Sequence, residues 1–168
     1  SGKTTLLKTI GGINTPSSGK IFIKHKTFSL FDIQMGLNGD ATGIENIFIL
    51  GYLRGFRKSV IKEKIDNIIE FAELKDFIHL PINTYSSGMK IRLVTAIALE
   101  IDPKILLIDE FFGAGDENFM EKSRNALKKK IASLDTIIFA SHNKPLVESI
   151  CNRIITMSKG EIFEDKNI

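Results

Sequence analysis

The chain has 168 residues, which suffices for one domain with a single hydrophobic core. Its 43% hydrophobic and 26% charged residues are typical of a globular protein and exclude a disordered or fibrous one. A net charge of +3 is too small to indicate a nucleic-acid-binding surface, and a single cysteine, Cys151, excludes an internal disulfide framework. The longest apolar run, at residues 47–53, contains a glycine and is too short to span a bilayer.

The first part of the chain predicts one helix and two strands. After Thr4 the apolar spacing predicts a helix that ends at Gly11 and Gly12. A turn then leads into two short strands, which we predict at residues 20–24 and 27–33.

The middle of the chain predicts two helices. An apolar stripe at helical spacing indicates the first, with Ser59 as its candidate N-cap. The stripe consists of Ile61, Ile65, Ile68 and Ala72. The second helix is predicted from Ser87 to Leu99, and Asp102 and Pro103 end it.

The last part of the chain predicts strands that alternate with helices. Residues 105–108 are apolar at every position, which is typical of a strand buried on both faces of a parallel sheet. A helix over 117–131, a buried strand over 136–140, a helix over 145–151 and a hairpin over 153–164 follow. This alternation predicts an α/β layer structure.

The opening residues Ser1, Gly2, Lys3, Thr4 and Thr5 suggest a phosphate-binding loop. Such a loop needs glycine so that backbone N–H groups can approach phosphate oxygens, a lysine that reaches the phosphates, and a hydroxyl that holds Mg²⁺ at the helix start. Gly2, Lys3 and Thr4 supply the second half of this motif in order. Because the first half is not visible, a polar N-terminal tail is the alternative.

Two carboxylates, Asp109 and Glu110, close the apolar strand. The carboxyl edge of a parallel sheet is where ligands bind in open α/β folds. We therefore expect Asp109 to hold Mg²⁺ through water and Glu110 to polarise an attacking water. A strand that ends in solvated acids is the alternative.

The stretch Tyr85-Ser86-Ser87-Gly88-Met89 precedes the second predicted helix of the middle region. Small residues at a helix start leave backbone N–H groups and the positive end of the helix dipole available to an anion. A simple helix cap explains the same residues equally well.

The order of these motifs, followed by Ser141-His142 after the second buried strand, resembles the ATP-binding cassette ATPase family. Three stretches are similar to the subunits that power export of polysaccharide, O-antigen or teichoic acid: TGIENI (42–47), YSSGM (85–89) and GAGDENF (113–119). The resemblance covers essentially the whole chain. It implies one cassette domain over 1–168 that begins inside its phosphate loop. Its fold would be a P-loop NTPase core with a small antiparallel β part and an inserted α-helical signature subdomain at about residues 42–100.

The resemblance implies an ATP site shared by two copies of the chain. In one copy the phosphates are bound by Ser1, Gly2, Lys3, Thr4 and Thr5, and Thr4 also ligates Mg²⁺. From the other copy, Ser86, Ser87 and Gly88 contact the γ-phosphate, and Asp116 lies across the dimer interface.

Two further residues complete the implied site. His142 hydrogen-bonds the γ-phosphate, with a core histidine as the alternative. Gln34 is the candidate for the glutamine that senses Mg²⁺ and faces the membrane partner, although its spacing to Glu45 and Asn46 is about one residue off the common pattern. A glutamine that merely ends a strand is the alternative. The implied catalytic residues are Glu110, His142 and Lys3.

What the resemblance implies is an ATP-hydrolysing subunit of a glycan exporter that uses ATP and Mg²⁺. It implies a homodimer, held at the cytoplasmic face of the membrane by an integral permease, and no nucleic-acid partner. A soluble ATPase of the same class, acting in translation or DNA repair, is the alternative. No heptad insert of the repair type is visible, and translation members carry two cassettes. A degenerate nucleotide sensor is a third, non-enzymatic reading.

Overall fold

The structure is a computed structural model that describes residues 2–25, 27–30, 36–101, 104–109, 116–131 and 134–168. Its helices are α1 (Lys3–Ile10), α2 (Gly43–Leu53), α3 (Lys58–Ala72), α4 (Ser87–Glu100), α5 (Glu117–Lys130) and α6 (Lys144–Ile150), with a short 3₁₀ turn at Ile82–Thr84. Its strands are β1 (Thr27–Ser29), β2 (Ile105–Asp109), β3 (Thr136–Ala140), β4 (Arg153–Ser158) and β5 (Glu161–Asn167).

A parallel sheet of three strands, in the order β1-β2-β3, forms the centre of the molecule. Strand β2 lies between its neighbours, with Leu106 opposite Phe28 on one side and opposite Ile137 on the other. Its three middle residues are buried, as the unbroken apolar run predicts. Parallel strands joined through helices confirm the predicted α/β class.

Strands β4 and β5 form a separate antiparallel hairpin. Lys159 and Gly160 make its turn with φ of 50° and 88°, a left-handed pair that suits a tight hairpin. Together with the parallel sheet, this hairpin gives the mixed architecture that the sequence predicts.

The main hydrophobic core joins helices α2, α3 and α4 to the first two strands, through side chains such as Ile47, Ile68, Ile97 and Leu106. A smaller cluster lies beneath α1, where Leu7 packs on Leu107 and Ala140. The partly buried Ile10, Ile105 and Ile138 pack against this cluster, so a small apolar contact holds α1 against β2 and β3.

Two local predictions are wrong. Residues 20–24 are not a strand: Phe22 is 89% exposed, and a strand needs a neighbouring strand to pair with, which the described residues do not place there. Ser59 is not the N-cap of α3, because Lys58 is already helical and the extended residue before it is Arg57. Strand β1 occupies Thr27–Ser29 of the predicted range 27–33, and residues 31–33 of that range lie outside the described residues.

Among the described residues, every helix is either too short or too polar to cross a bilayer.

Candidate functional site

The amino-terminal end of α1 is open to an anion. Gly2 precedes the helix with φ of 92°, a left-handed conformation that glycine adopts without strain. Within the described part of the chain no side chain caps this end, and no acidic residue lies in the first turn. The first N–H groups of the helix and its positive dipole end are thus left for a ligand.

Packing of α1 on the sheet brings its first residue close to the end of β3. Leu7 lies against Leu107 and Ala140 on the sheet. One turn before Leu7, Lys3 reaches His142, with 3.2 Å between Lys3 Nζ and His142 Nε2. The two residues are 139 positions apart in the sequence, and they meet because α1 packs on the sheet with its first turn beside the end of β3.

Asp109 lies at this same edge. It is the last residue of β2, and its register partner in β3 is Ala140, two residues before His142. The structure therefore gathers Lys3, Asp109 and His142 at the carboxyl end of the parallel sheet. We call residues 2–5, Asp109 and His142 the phosphate end.

The oxygen atoms at the phosphate end suit Mg²⁺. Thr4 offers an exposed hydroxyl and Asp109 a carboxylate, which are hard oxygen ligands of the kind that Mg²⁺ prefers. Within the described ranges no three acidic, histidine or cysteine side chains are grouped to hold a metal ion by themselves. A Mg²⁺ ion here would therefore need phosphate oxygens and water as its remaining ligands.

The start of α4 presents exposed hydroxyl groups on a firmly held base. Ser86 is the N-cap, and its Oγ accepts a hydrogen bond of 3.2 Å from the Met89 N–H. Ser86 and Ser87 are exposed, whereas the preceding Tyr85 is only 4% exposed. The Tyr85 hydroxyl donates to the Phe77 carbonyl at 2.7 Å, and burial raises the pKa of Tyr85.

The loop before α2 docks on the segment that leads to Tyr85. The N–H groups of Ile82 and Asn83 each donate at 2.9 Å, to the carbonyls of Ala41 and Gly39. Asn46 is fully buried, and its amide both donates to three carbonyls of this loop and accepts from the Asn38 N–H at 2.8 Å. We call residues 37–46 and 77–89 the signature end.

Asp116 has partners inside its own chain. Its carboxylate accepts from the Phe119 N–H at 2.9 Å, as the N-cap of α5, and pairs with Arg92. The backbone hydrogen bond from Phe119, and then the hydrogen bond from Arg92, lower the pKa of Asp116. Its predicted place across a dimer interface stays a prediction.

The structure brings only some of the predicted site residues into one place. Gly2, Lys3, Thr4, Thr5, Asp109 and His142 lie at the phosphate end, while Ser86, Ser87 and Gly88 lie at the start of α4. Ser1, Gln34 and Glu110 lie outside the described residues. Their predicted roles therefore stay predictions.

Sequence reasoning missed Arg92, whose guanidinium bonds both Asp116 and Glu73. The available signal was one cation in the run Ile91–Ala98, which is otherwise apolar except for Thr95, in a helix that starts at the candidate anion site. Its partners are 24 and 19 residues away, so helical spacing does not reveal them.

Comparisons with known proteins agree with this geometry. Residues 1–113 match the family described as ABC transporter. The chain is 43% identical over 164 residues to the O-antigen export system ATP-binding protein RfbE of Yersinia enterocolitica, covering 98% of the chain and 69% of that protein. It is also 43% identical over 164 residues to the teichoic acids export ATP-binding protein TagH of Listeria innocua, of which it spans about half, 49%.

Solved structures show the same fold. The dimeric post-hydrolysis state of the ATP-binding cassette MJ0796 bound to ADP and Pi matches with a TM-score of 0.80 at 24% identity, covering 99% of the chain and 80% of that protein. The structure of an ATP binding subunit of an ABC transporter matches with a TM-score of 0.84 at 18% identity, covering 99% and 74%.

The chain belongs to the ABC transporter family. The predicted family, its ATP-binding cassette fold and the likeness to the O-antigen and teichoic acid export subgroup are confirmed.

Proposed function

We propose that the full-length protein hydrolyses ATP to drive export of a cell-surface glycan of the O-antigen or teichoic acid type. The observation that carries the ATPase part is the 3.2 Å approach of Lys3 to His142, beside Asp109 and the open end of α1. The glycan part is supported by the names of relatives that are 43% identical over 98% of the chain.

In this proposal the phosphate end binds the triphosphate of ATP. The free N–H groups of residues 2–5 and the Lys3 ammonium supply donors and positive charge to the phosphate oxygens. His142, which contacts Lys3 directly, would then hydrogen-bond the γ-phosphate from the neighbouring strand. Such positioning and charge neutralisation is most of what phosphoryl transfer requires of a protein.

Magnesium would be held at this end by Thr4 and, through water, by Asp109. When bound, Mg²⁺ neutralises charge that develops on the phosphate oxygens. Glu110 follows Asp109 directly in the sequence and is our proposed general base, which accepts a proton from the attacking water.

A second copy of the chain completes the site. The exposed Ser86 and Ser87 at the start of α4 offer hydroxyl and N–H donors on a surface that can face another molecule. We propose a head-to-tail homodimer of two-fold symmetry in which this surface closes on the γ-phosphate bound by the partner. The dimer would open after hydrolysis.

The membrane partner is proposed to bind near α2, within a helical subdomain of about residues 42–100. A surface groove of about 490 Å³ is lined there by Asn38, Asp40, Ala41, Glu45, Phe48 and Ile49. It offers the Asp40 carboxylate beside apolar side chains, whereas the Glu45 carboxylate is bonded by Thr42. Gln34 precedes the groove in the sequence. A permease held in this groove would keep the protein at the cytoplasmic face of the membrane.

The test uses the full-length protein reconstituted with its permease in liposomes. We expect Glu110→Gln to lower the rate of ATP hydrolysis by about 100-fold or more, because the proton acceptor is lost. The same variant should accumulate as a dimer at saturating ATP. Glu121→Gln, which changes an exposed carboxylate on α5, is the matched control and should hydrolyse ATP at the parental rate.

Parental hydrolysis by the Glu110→Gln variant would refute the catalytic assignment. For the glycan, the chromosomal Glu110→Gln allele should deplete O-antigen or teichoic acid at the cell surface, whereas the Glu121→Gln allele should not. Normal surface glycan in the first strain would refute the exported class.

A further inference from the structure

Four charged side chains join the signature helix α4 to two other parts of the chain. They are Glu73, directly after α3, Arg92 on α4, Asp116 at the N-cap of α5, and Lys122 within α5. We call this set the charged cluster.

Arg92 is the member that connects both carboxylates. Its Nη1 donates to Glu73 Oε2 at 2.6 Å, and its Nη2 donates to Asp116 Oδ2. Lys122 reaches only one of them, donating to Glu73 Oε1 at 2.8 Å and to the Phe71 carbonyl at 2.9 Å. The planar guanidinium can bridge two carboxylates in a fixed geometry, whereas an ammonium acts as a point charge.

Two aromatic rings pack against the charged cluster and restrict the positions of its two cations. Phe71 and Phe119 meet edge to face at 5.8 Å between ring centroids. The Arg92 guanidinium lies 5.0 Å from the centre of the Phe119 ring, and Lys122 Nζ lies 4.8 Å from that of Phe71. Because the Arg92 side chain is only 23% exposed, its ion pairs are less screened by solvent than ordinary surface pairs.

The pKa shifts of Glu73 and Arg92 agree with ion pairs that are formed in the folded protein. The hydrogen bond from Lys122, and then that from Arg92, lower the pKa of Glu73. Burial alone would lower the pKa of Arg92, but its hydrogen bonds to Asp116 and Glu73 outweigh burial and raise it.

We propose that Arg92 is a positioning residue that fixes Asp116 relative to Ser86, so that both reach a second copy of the chain as one rigid surface. Ser86 begins α4 six residues before Arg92, about 9 Å along the helix axis. Asp116 begins α5 after the segment that follows Asp109. One guanidinium thus couples α4 to Asp116, in addition to the direct packing of α4 on α5. This inference rests on the proposed function.

The test measures kcat in the full-length protein reconstituted with its permease, and ATP affinity in the isolated full-length protein. Arg92→Gln should lower kcat about tenfold, since small misplacements of contacting groups are costly in catalysis. The dissociation constant of ATP for the monomer should stay within about twofold of the parental value, because Arg92 is not part of the phosphate end. Arg92→Lys should recover only part of the loss, because it keeps the positive charge but replaces the planar guanidinium, which bonds both carboxylates in a fixed geometry, with a point charge.

Lys122→Gln is the matched control. It removes the second ion pair of Glu73 and leaves both hydrogen bonds of Arg92 in place. We expect kcat within about twofold of parental and a melting temperature lowered by no more than in Arg92→Gln, because only one ion pair is lost. A double-mutant cycle adds a readout that a merely structural role would not move. In an Asp116→Asn background, where the cap is kept, Arg92→Gln should have little further effect on kcat.

Two results would overturn the inference while the proposed function stands: parental kcat in Arg92→Gln, or equal losses of kcat in Arg92→Gln and Lys122→Gln. If Arg92→Gln fails to fold, the double-mutant cycle is made with Arg92→Lys and Asp116→Asn instead. Additive losses of kcat in that cycle would reject the positioning role. If the parental protein itself neither hydrolyses ATP nor dimerises, the proposed function fails and the inference fails with it.

Discussion

The phosphate end and the signature end are held together in different ways. At the signature end, the loop before α2 and the segment before α4 exchange backbone hydrogen bonds, and Asn46 makes four more from the core. Thr42 and Glu45 form a capping box on α2, and Ser86 caps α4. The polar groups of this end largely satisfy one another.

Counted over the described residues, the phosphate end has fewer internal partners than the signature end. Helix α1 begins at an uncapped glycine and rests on a cluster of three buried side chains, those of Leu7, Leu107 and Ala140. Since buried or ordered N–H groups need acceptors, this end is arranged to receive them from a ligand. From this difference we propose that the signature surface is formed before ATP arrives, whereas the phosphate end is completed by ATP.

The largest effect that separates the two ends is expected from Lys3→Ala. It removes the ammonium at the phosphate end, so ATP hydrolysis by the full-length protein should fall about 100-fold or more. The melting temperature without nucleotide should change little, because Lys3 is not part of the cluster under α1. Lys8→Ala, in the last turn of the same helix, is the control and should keep most of the activity. A loss of less than tenfold in Lys3→Ala would contradict a ligand-completed phosphate end.

Asn46→Leu tests the opposite claim, that the signature end is completed by its own residues. The substitution leaves the Asn38 N–H and the loop carbonyls without their amide partner. We expect the free energy of unfolding to fall by about 2 kcal/mol, because buried polar groups are then unsatisfied. Urea titration followed by circular dichroism measures it, with Asn118→Ala on the exposed face of α5 as the control. Equal stabilities of the two variants would show that Asn46 does not hold this loop.

The parts of the fold that the sequence predicts well are those determined by local pattern. Strand β2 follows from four consecutive apolar residues, and α4 follows from Ser86 before a long apolar helix. The false strand at residues 20–24 shows the limit, because alternating isoleucines predict a strand only if another strand pairs with it. Likewise Ser59 has the chemistry of an N-cap, but the helix begins one residue before it.

The candidate site divides along the same line. Lys3 and His142 are identified by their motifs and their resemblance to a family, since no local rule relates residues 139 positions apart. No sequence motif predicts that Arg92 bridges Glu73 and Asp116. The bridge exists only because α4 packs between α3 and α5. Long-range polar contacts of this kind depend on tertiary structure and are therefore the part that single-sequence reasoning misses.

The smallest effect is expected from Tyr85→Phe, which removes the hydrogen bond to the Phe77 carbonyl and keeps the aromatic ring. At neutral pH the free energy of unfolding should fall by about 1 kcal/mol. Tyr52 is the other tyrosine in the chain, and because it is 48% exposed, Tyr52→Phe should change stability by only a few tenths of a kcal/mol.

The pH dependence of this effect has a defined sign. Burial raises the pKa of Tyr85 in the folded state, whereas in the unfolded chain its phenol ionises at about 10. The contribution of Tyr85 to stability is thus fully present below pH 10 or so and is lost as the pH rises toward the folded-state value. In urea titrations the difference in the free energy of unfolding between the parental protein and Tyr85→Phe should shrink above this pH. Titration of the lysines affects both proteins alike and cancels in this difference. An advantage that is constant across that range, or no larger than that over Tyr52→Phe, would show that the Tyr85 hydroxyl does not anchor the signature end.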